Sequence, residues 1–439
     1  MKRITILSGL SIIILLLSYP GPVKANDIRS LYAGVCKVNI TPESPVQMAG
    51  YSNRKALSKG IHDSLYARIL VLDDGNNRLA VISCDLIRYS NDHITEIALK
   101  RFNIHVVLMN SIHTHSGPDP GTSESYTRML EQKIILGLEK ASANLFEARI
   151  TGGYKSFPQL GYNRLIVRKD GRAHAPWYNQ DDLIPQNNPD RIPFGPVDPE
   201  VGVIRIDDTT GHTRAILMTY ACHAVANSQN MELSADYPGV AVKNVEEAYG
   251  GNTIGIFING ASGNIAPLFK SPNFDQNGKP FTDYSQIEKM GELLADYVLN
   301  ISRDLSGSGN DPASIKVIHD SIKFTGRFNK KLTYNLHFAT VLINDKIAIA
   351  TFPGEPFVKF QLFWKENSEV IFPLFLGYTT VGGDNPGYVP DIRSSAFGGY
   401  GADSDAGIIE VGAGERIMNR HLENLYRIKG IMKDGVGEP

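Results

Sequence analysis

The sequence predicts an α/β fold built on a mixed sheet. Short runs rich in Val, Ile and Leu, such as residues 106–109 and 253–258, have the length and branching of buried strands. Some runs pair across tight turns, as residues 66–72 and 79–83 do around Asp73-Asp74-Gly75. Others alternate with segments of helical period, 93–101 before the run at 106 and 127–145 before 149–153. Strand–helix–strand order of this kind builds an α/β core.

Taken in order, residues 31–40 form a first strand that Thr41-Pro42 ends. Residues 47–51 turn towards the interior, and the polar stretch 53–58 reads as a loop. Asp85 follows directly on a strand. A carboxylate there needs a partner, and a structural role is expected before any part in orienting a histidine. Residues 156–199 are irregular and rich in Pro, Asn and Asp, with Tyr162-Asn163-Arg164 and His174 among them. A loop of that length is usually functional or disordered. Strands at 201–206 and 213–220 pair through 207–211. Residues 234–239 open a helix over 240–249, and the strand 253–258 runs into Asn259-Gly260-Ala261-Ser262-Gly263-Asn264. Such a loop either offers backbone N–H groups to an anion or is a tight turn without a ligand. An amphipathic helix covers 285–301. Strands follow at 316–324 and 332–343, the second facing 346–352 across Asn344-Asp345, and one last helix ends the chain.

The chain has 439 residues. Lys2 and Arg3 precede an apolar run, 4–17, and Val23-Lys24-Ala25 ends in a small residue. That is the pattern of a signal peptide over 1–25, with a retained anchor as the alternative and 26–439 as one catalytic domain. Export would place the chain in the periplasm or outside the cell. Removing Lys2, Arg3 and Lys24 lowers the basic count from 44 to 41 against 46 acids, a formal charge of −5. That charge gives no reason to expect nucleic acid, and at most transient contact with a membrane surface. Three cysteines, Cys36, Cys84 and Cys222, are an odd number. The apolar settings of Cys84 and Cys222 suit buried thiols better than a disulfide framework.

Chemistry concentrates at Asn110–Pro118, NSIHTHSGP. His113 and His115 stand at i and i+2, on one face if the strand continues. At a strand end they splay, one to a metal and one to a substrate. The plain alternative is one surface histidine and one core histidine. His223 ends another strand-like run, and Glu355 stands in Thr351-Phe352-Pro353-Gly354-Glu355-Pro356. With the Gly/Tyr-rich loop 384–400, these segments hold the His and carboxylate donors that a catalytic zinc takes. His105, His319 and His337 lack such a setting and read as structural or exposed.

Residues 60–75 (GIHDSLYARILVLDDG), NSIHTHSGP, YNR (162–164), YACH (220–223), SADYPGVA (234–241), SGNIAP (262–267), FPGEPF (352–357) and NPGYVP (385–390) occur in an order that resembles the neutral, non-lysosomal ceramidases. These are zinc amidases that release a fatty acid from sphingoid bases. The resemblance runs along nearly the whole mature chain and implies a mixed-sheet zinc hydrolase catalytic domain, without the family's carboxyl-terminal immunoglobulin-like domain. It implies one zinc (Zn2+) held by His113, His223, Glu355 and Tyr388. It gives His115 a hydrogen bond to the activated water or the developing oxyanion, lines the site with Arg164, and makes Tyr400 an oxyanion donor. One departure stands out: Ala266 occupies the place of a family serine, and Ser262, four residues earlier, does not replace it. The expected activity is an exported zinc-dependent amidase that cleaves an N-acyl bond, ceramide-like at its most specific, by zinc-activated water. The alternative is a hydrolase of the same fold acting on an ester, a lactone or a carbohydrate-linked substrate.

Overall fold

A computed structural model describes residues 29–167, 171–174, 195–227, 229–270, 283–306, 312–403 and 406–432. The segment 1–25, read from sequence as a signal peptide, and most of the stretch after residue 174 lie outside them. A nine-stranded sheet organises the chain, in the order 254–259, 213–220, 200–208, 146–156, 31–39, 66–73, 78–84, 106–111, 379–380. Two neighbouring pairs are parallel, Thr213–Tyr220 with Ile254–Asn259 and Arg78–Cys84 with Val106–Ser111. The other neighbours are antiparallel, so the sheet is mixed as expected.

The strand Tyr66–Asp73 shows why its run is continuously apolar. Ile69 and Val71 face Leu130 and Ile134 of the helix Glu124–Ala143. Leu70 and Leu72 point the other way, into a core shared with Val341, Ile349 and Leu374. Those last residues belong to a second sheet of four strands, ordered 315–325, 333–343, 347–351, 372–376. Its far face packs Phe338 and Ala350 against Phe360, Trp364 and Leu425 of the helices Val358–Asn367 and Ala413–Ile428. The layers are therefore helix, sheet, sheet, helix, and strands in the two middle layers are buried on both faces. Truncating such a residue, for example Ile349→Ala, costs about 2–5 kcal/mol.

The turns obey local chemistry. Asn344 and Asp345 both take positive φ, 51° and 52°, and with Lys346 they make the three-residue loop of the expected hairpin, which pairs Ile343 with Ile347. Asp85 accepts from Tyr66 N and pairs with the buried Arg68 at 2.8 Å, so its role is structural. Cys84 and Cys222 are buried free thiols and Cys36 is half-buried. No helix among the described residues is long and apolar enough to cross a membrane.

Several expectations need adjustment. The helix after residue 234 begins at Asp236, four residues early, because Pro238 tolerates a first-turn position where no intrahelical N–H bond is lost. The 384–400 loop contains a helix, Ile392–Phe397, whose amide at Ser394 is capped by Asp391. The polar stretch at 53–58 is not simply a surface loop, since Arg54 within it is buried.

What positions the site is the curl of the large sheet. Ser83 Oγ donates to Phe257 O at 2.6 Å, and Asn259 Nδ2 donates to Ile112 O at 3.0 Å. These bonds tie the strand at one edge to the strands near the other edge. They draw the carboxyl ends of 106–111 and 213–220 together.

Candidate metal centre

His113 follows the buried strand Val106–Ser111. Its N–H donates to Leu86 O at 2.9 Å and its φ is 67°, an unusual conformation for a side-chain-bearing residue. The kink swings its ring inward, where Nδ1 meets Ile87 O at 2.8 Å and leaves Nε2 facing the centre. His223 is fixed in the same way. Its N–H donates to Ile265 O at 3.1 Å, and Nδ1 meets Ser262 O at 2.6 Å.

Glu355 comes shortly after the strand Ile347–Thr351 of the other sheet. It lies on a two-residue strand, Glu355–Pro356, registered directly with Tyr388–Val389. Glu355 Oε2 stands 3.3 Å from His113 Nε2 and 3.3 Å from His223 Nε2, and no other donor among the described residues reaches it. The Tyr388 hydroxyl is 3.5 Å from His223 Nε2. Donors about 2.0–2.2 Å from a tetrahedral ion lie roughly 3.3–3.6 Å apart, so these spacings fit a small cation at their centre. His115 Nε2 is also 3.3 Å from His113 Nε2, and the three imidazoles alone form a cluster with metal-ligand spacing. His115 differs in one respect: its buried Nδ1 has no hydrogen-bond partner.

The electrostatics favour a neutral His223 and a neutral His115 beside an anionic carboxylate. Burial and Arg164 push His223 down to about 4. Burial, with His113 and His223, holds His115 well below the usual imidazole range. Burial would raise the Glu355 carboxyl, yet the two facing imidazoles hold it well below the carboxylate range. Arg164, buried, donates to Gly263 O at 2.6 Å and to the Tyr388 hydroxyl at 3.0 Å. Its guanidinium also lies 5.4 Å and 5.3 Å from the ring centres of Tyr388 and Tyr400. Tyr400 meets Tyr388 edge-on and is 46% exposed, which puts it at the mouth of the site.

The glycine-rich loop after Ile254–Asn259 is a packing device. Three of its amides are committed, Gly260 N to Tyr220 O, Ala261 N to Gln361 Oε1 and Gly263 N to Pro356 O. A Cβ on Gly263 would sit 2.4 Å from Glu355 O, so glycine lets this loop pass beneath the carboxylate. Ala266 is buried one residue beyond the anchor of His223.

Two residues escaped the sequence reading. Tyr378 floors the site: its ring lies 4.3 Å from that of His113, and its hydroxyl shares a 2.7 Å hydrogen bond with Ser262 Oγ. Tyr51 meets His115 edge-on, ring centres 5.3 Å apart. The signal available for Tyr378 was its place just beyond an apolar run, the setting that singled out the histidines.

Known proteins share both sequence and fold with this chain. It is 24% identical over 284 residues to the neutral ceramidase of Pseudomonas aeruginosa, covering 59% of this chain and 40% of that protein. It is 26% identical over 316 residues to neutral ceramidase B of Dictyostelium discoideum, covering 64% and 43%. The chain thus spans under half the length of these curated relatives. The crystal structure of the Pseudomonas aeruginosa neutral ceramidase superposes with a TM-score of 0.70 at 16% identity, over 94% of this chain and 77% of that one. A ceramidase complexed with C2 gives 0.72 at 15% identity over the same shares. The family profile described as neutral/alkaline non-lysosomal ceramidase, N-terminal, matches residues 32–289, more than half of the sequence, and the chain belongs to that family.

Proposed function

We propose that this chain is an exported hydrolase that cleaves an N-acyl amide bond, ceramide-like at its most specific, with one zinc held by His113, His223, Glu355 and Tyr388. The observation that carries the reading is Glu355 Oε2, buried at 3.3 Å from two imidazole nitrogens with no other donor among the described residues. A carboxylate oxygen in that position is costly unless a cation neutralises it. His113 and His223 each present Nδ1 to a backbone carbonyl, the usual outer support of a metal-ligating imidazole. His115 lacks that support and is placed outside the ligand set. Its domain runs over 26–439, with 1–25 removed on export.

Zinc bound at such a site acidifies a water and polarises the scissile carbonyl. The chain's own groups do the rest. Arg164 donates to the Tyr388 oxygen and so opposes the burial and the Glu355 charge that push this phenol well above its usual range. His115, neutral and beside the centre, would donate a hydrogen bond from Nε2 to the oxygen that gains charge. Tyr400, at the mouth, donates to the same oxyanion. Each such donor is worth about 3–4 kcal/mol when fully preorganised.

Ala266 supports a second reading. The resemblance places a serine there, and its loss alters what the site can hold without removing any donor just named. An ester, lactone or carbohydrate-linked substrate is therefore the alternative. A panel of N-acyl sphingoid bases, esters, lactones and glycans, assayed with and without chelator, separates the two. Chelator-sensitive release of fatty acid from an N-acyl substrate is expected. Turnover that survives complete metal removal would sink the zinc assignment, and turnover of esters or glycans alone would favour the alternative. Amino-terminal sequencing of the exported protein tests cleavage after Ala25.

A further inference from the structure

The hydrolytic reading leaves unused the turn that lies against His115. Ala49 N donates to Gly117 O at 3.0 Å, and Met48 bridges to Pro118, so residues 48–54 cover the HTHSGP segment. Gly50 has φ +100°, and a Cβ on it would lie 2.6 Å from His115 Cβ and Cγ. Bare backbone is therefore the wall of that imidazole. The Tyr51 ring closes the adjacent side, edge-on at 68°.

Arg54 binds this wall to the histidine. It is 3% exposed. Nη1 donates to Ala49 O and Nη2 to His115 O, both at 3.0 Å, and the guanidinium lies 5.0 Å from the centre of the Tyr51 ring. No carboxylate among the described residues pairs with it. A buried cation without a counter-ion is a net cost to folding, so stability does not account for it. Geometry does: the planar fork spans the two carbonyls that flank the ring. His113 and His223 need no such tie, because each has a backbone carbonyl on Nδ1. His115 has none.

We infer that Arg54 is a positioning residue that, through Ala49 and the Gly50–Tyr51 wall, fixes the His115 imidazole at the metal centre. The inference rests on the hydrolytic role proposed for His115, and it commits the arginine to act through that ring alone.

The test uses the mature full chain labelled with 15N-histidine, its zinc content, and steady-state kinetics on the substrate the panel identifies. The His115 signals are those lost in His115→Ala. In Arg54→Met those signals should move while the other imidazoles stay in place, and zinc content should hold. Turnover should fall about 10–100-fold with KM within about twofold, and Arg54→Lys, which supplies one point donor, should recover part of it. The double variant Arg54→Met/His115→Ala should be no slower than His115→Ala, whereas a merely structural arginine would add its own loss. Unmoved His115 signals in Arg54→Met, or additive losses in the double variant, would overturn the inference. If Arg54→Met does not fold, Arg54→Lys and Gly50→Ala are read by the same spectrum. If His115→Ala turns over like the parent, the hydrolytic role of His115 falls, and the spectrum still decides whether Arg54 holds the ring.

Discussion

The nine-stranded sheet and the four-stranded sheet deliver side chains to one point by different means. On the first, His113 and His223 follow strands of six and eight residues, and each ring is locked by a backbone carbonyl on Nδ1. Beyond the second, Glu355 follows the strand Ile347–Thr351 and pairs with Tyr388 in a separate two-residue strand pair, with Gly354 at φ 79° packed 2.5 Å from Gly387 O, measured from a Cβ it does not have. The imidazoles are aimed by the core before any ion arrives. The carboxylate is aimed by a tight turn, and its oxygen has the imidazoles as its nearest polar company. One half of the site is prebuilt, and under the proposed zinc assignment the other half would be completed by the ion. The family match ends at residue 289, on the prebuilt side.

Breaking the prebuilt half should have the largest effect. His113→Ala and His223→Ala should each lose zinc and all measurable turnover together. Elemental analysis that finds full zinc in both variants would refute the ligand assignment. Breaking the other half should be graded. Glu355→Gln should keep the fold and weaken zinc by about 10–100-fold, with competitive chelation as the measurement. A variant that holds zinc as tightly as the parent would mean that the three imidazoles suffice.

Donors outside the ligand set come next. His115→Ala should cost on the order of 10²–10³ in turnover with zinc retained. Tyr400→Phe should cost less, about tenfold, because a hydroxyl on a ring that is 46% exposed competes with water. Equal losses would place Tyr400 deeper in the reacting site than its exposure implies.

How legible each half was follows from the same contrast. Residues 66–72 announce a strand because both faces are apolar, and histidines at strand ends stand out in a chain with only 11 of them. Tyr51 was hidden because an aromatic in a turn reads as core, and Tyr378 was passed over for the same reason although it ends an apolar run as the histidines do. Arg54 was hidden because Ser52-Asn53-Arg54-Lys55 reads as solvent-facing, and one of the two carbonyls that hold it buried, that of His115, lies 61 residues away. The helix Val358–Asn367 lacks a local cap. Its first amide is capped by Asn264 Oδ1, 94 residues away, a partner that no local pattern can reveal.

The four-stranded half has a buried histidine of its own, which sharpens the contrast. His421 is pushed down to about 4 by burial, as His223 is, but both its nitrogens are satisfied, by Thr340 Oγ1 at 2.8 Å and Thr351 O at 3.0 Å. It fastens the last helix to the sheet and holds no position open for an ion. Between pH 6.5 and about 4 the unfolded chain binds a proton at this residue that the folded chain refuses. Its contribution is therefore complete above pH 6.5 and is lost as pH falls through about 4, by about 3 kcal/mol. Denaturant titrations between pH 7 and 4 should show this decline in the parent and a shallower one in His421→Gln. Identical slopes would assign acid lability elsewhere.

The smallest effect is expected at Ala266, where the two halves differ least in what they ask of the residue. It is buried on the three-residue strand Ile265–Pro267, paired with Tyr162, one position beyond the carbonyl that anchors the His223 amide. A hydroxyl there would add one polar group to a wall that already holds its ligands, and it would supply no donor that His115, Arg164 or Tyr400 lacks. Ala266→Ser should therefore change turnover of the true substrate by less than about tenfold, or roughly 1.4 kcal/mol in the barrier. The ranking of substrates should move more than the best rate, since a hydroxyl in the wall favours ligands that can pair with it. With no side-chain nucleophile, the first product should appear without a burst in the parent and the variant alike. A burst in Ala266→Ser alone would show that the parent site is one residue short of covalent catalysis. An acyl group trapped on Ser262 in the parent would overturn direct attack by water.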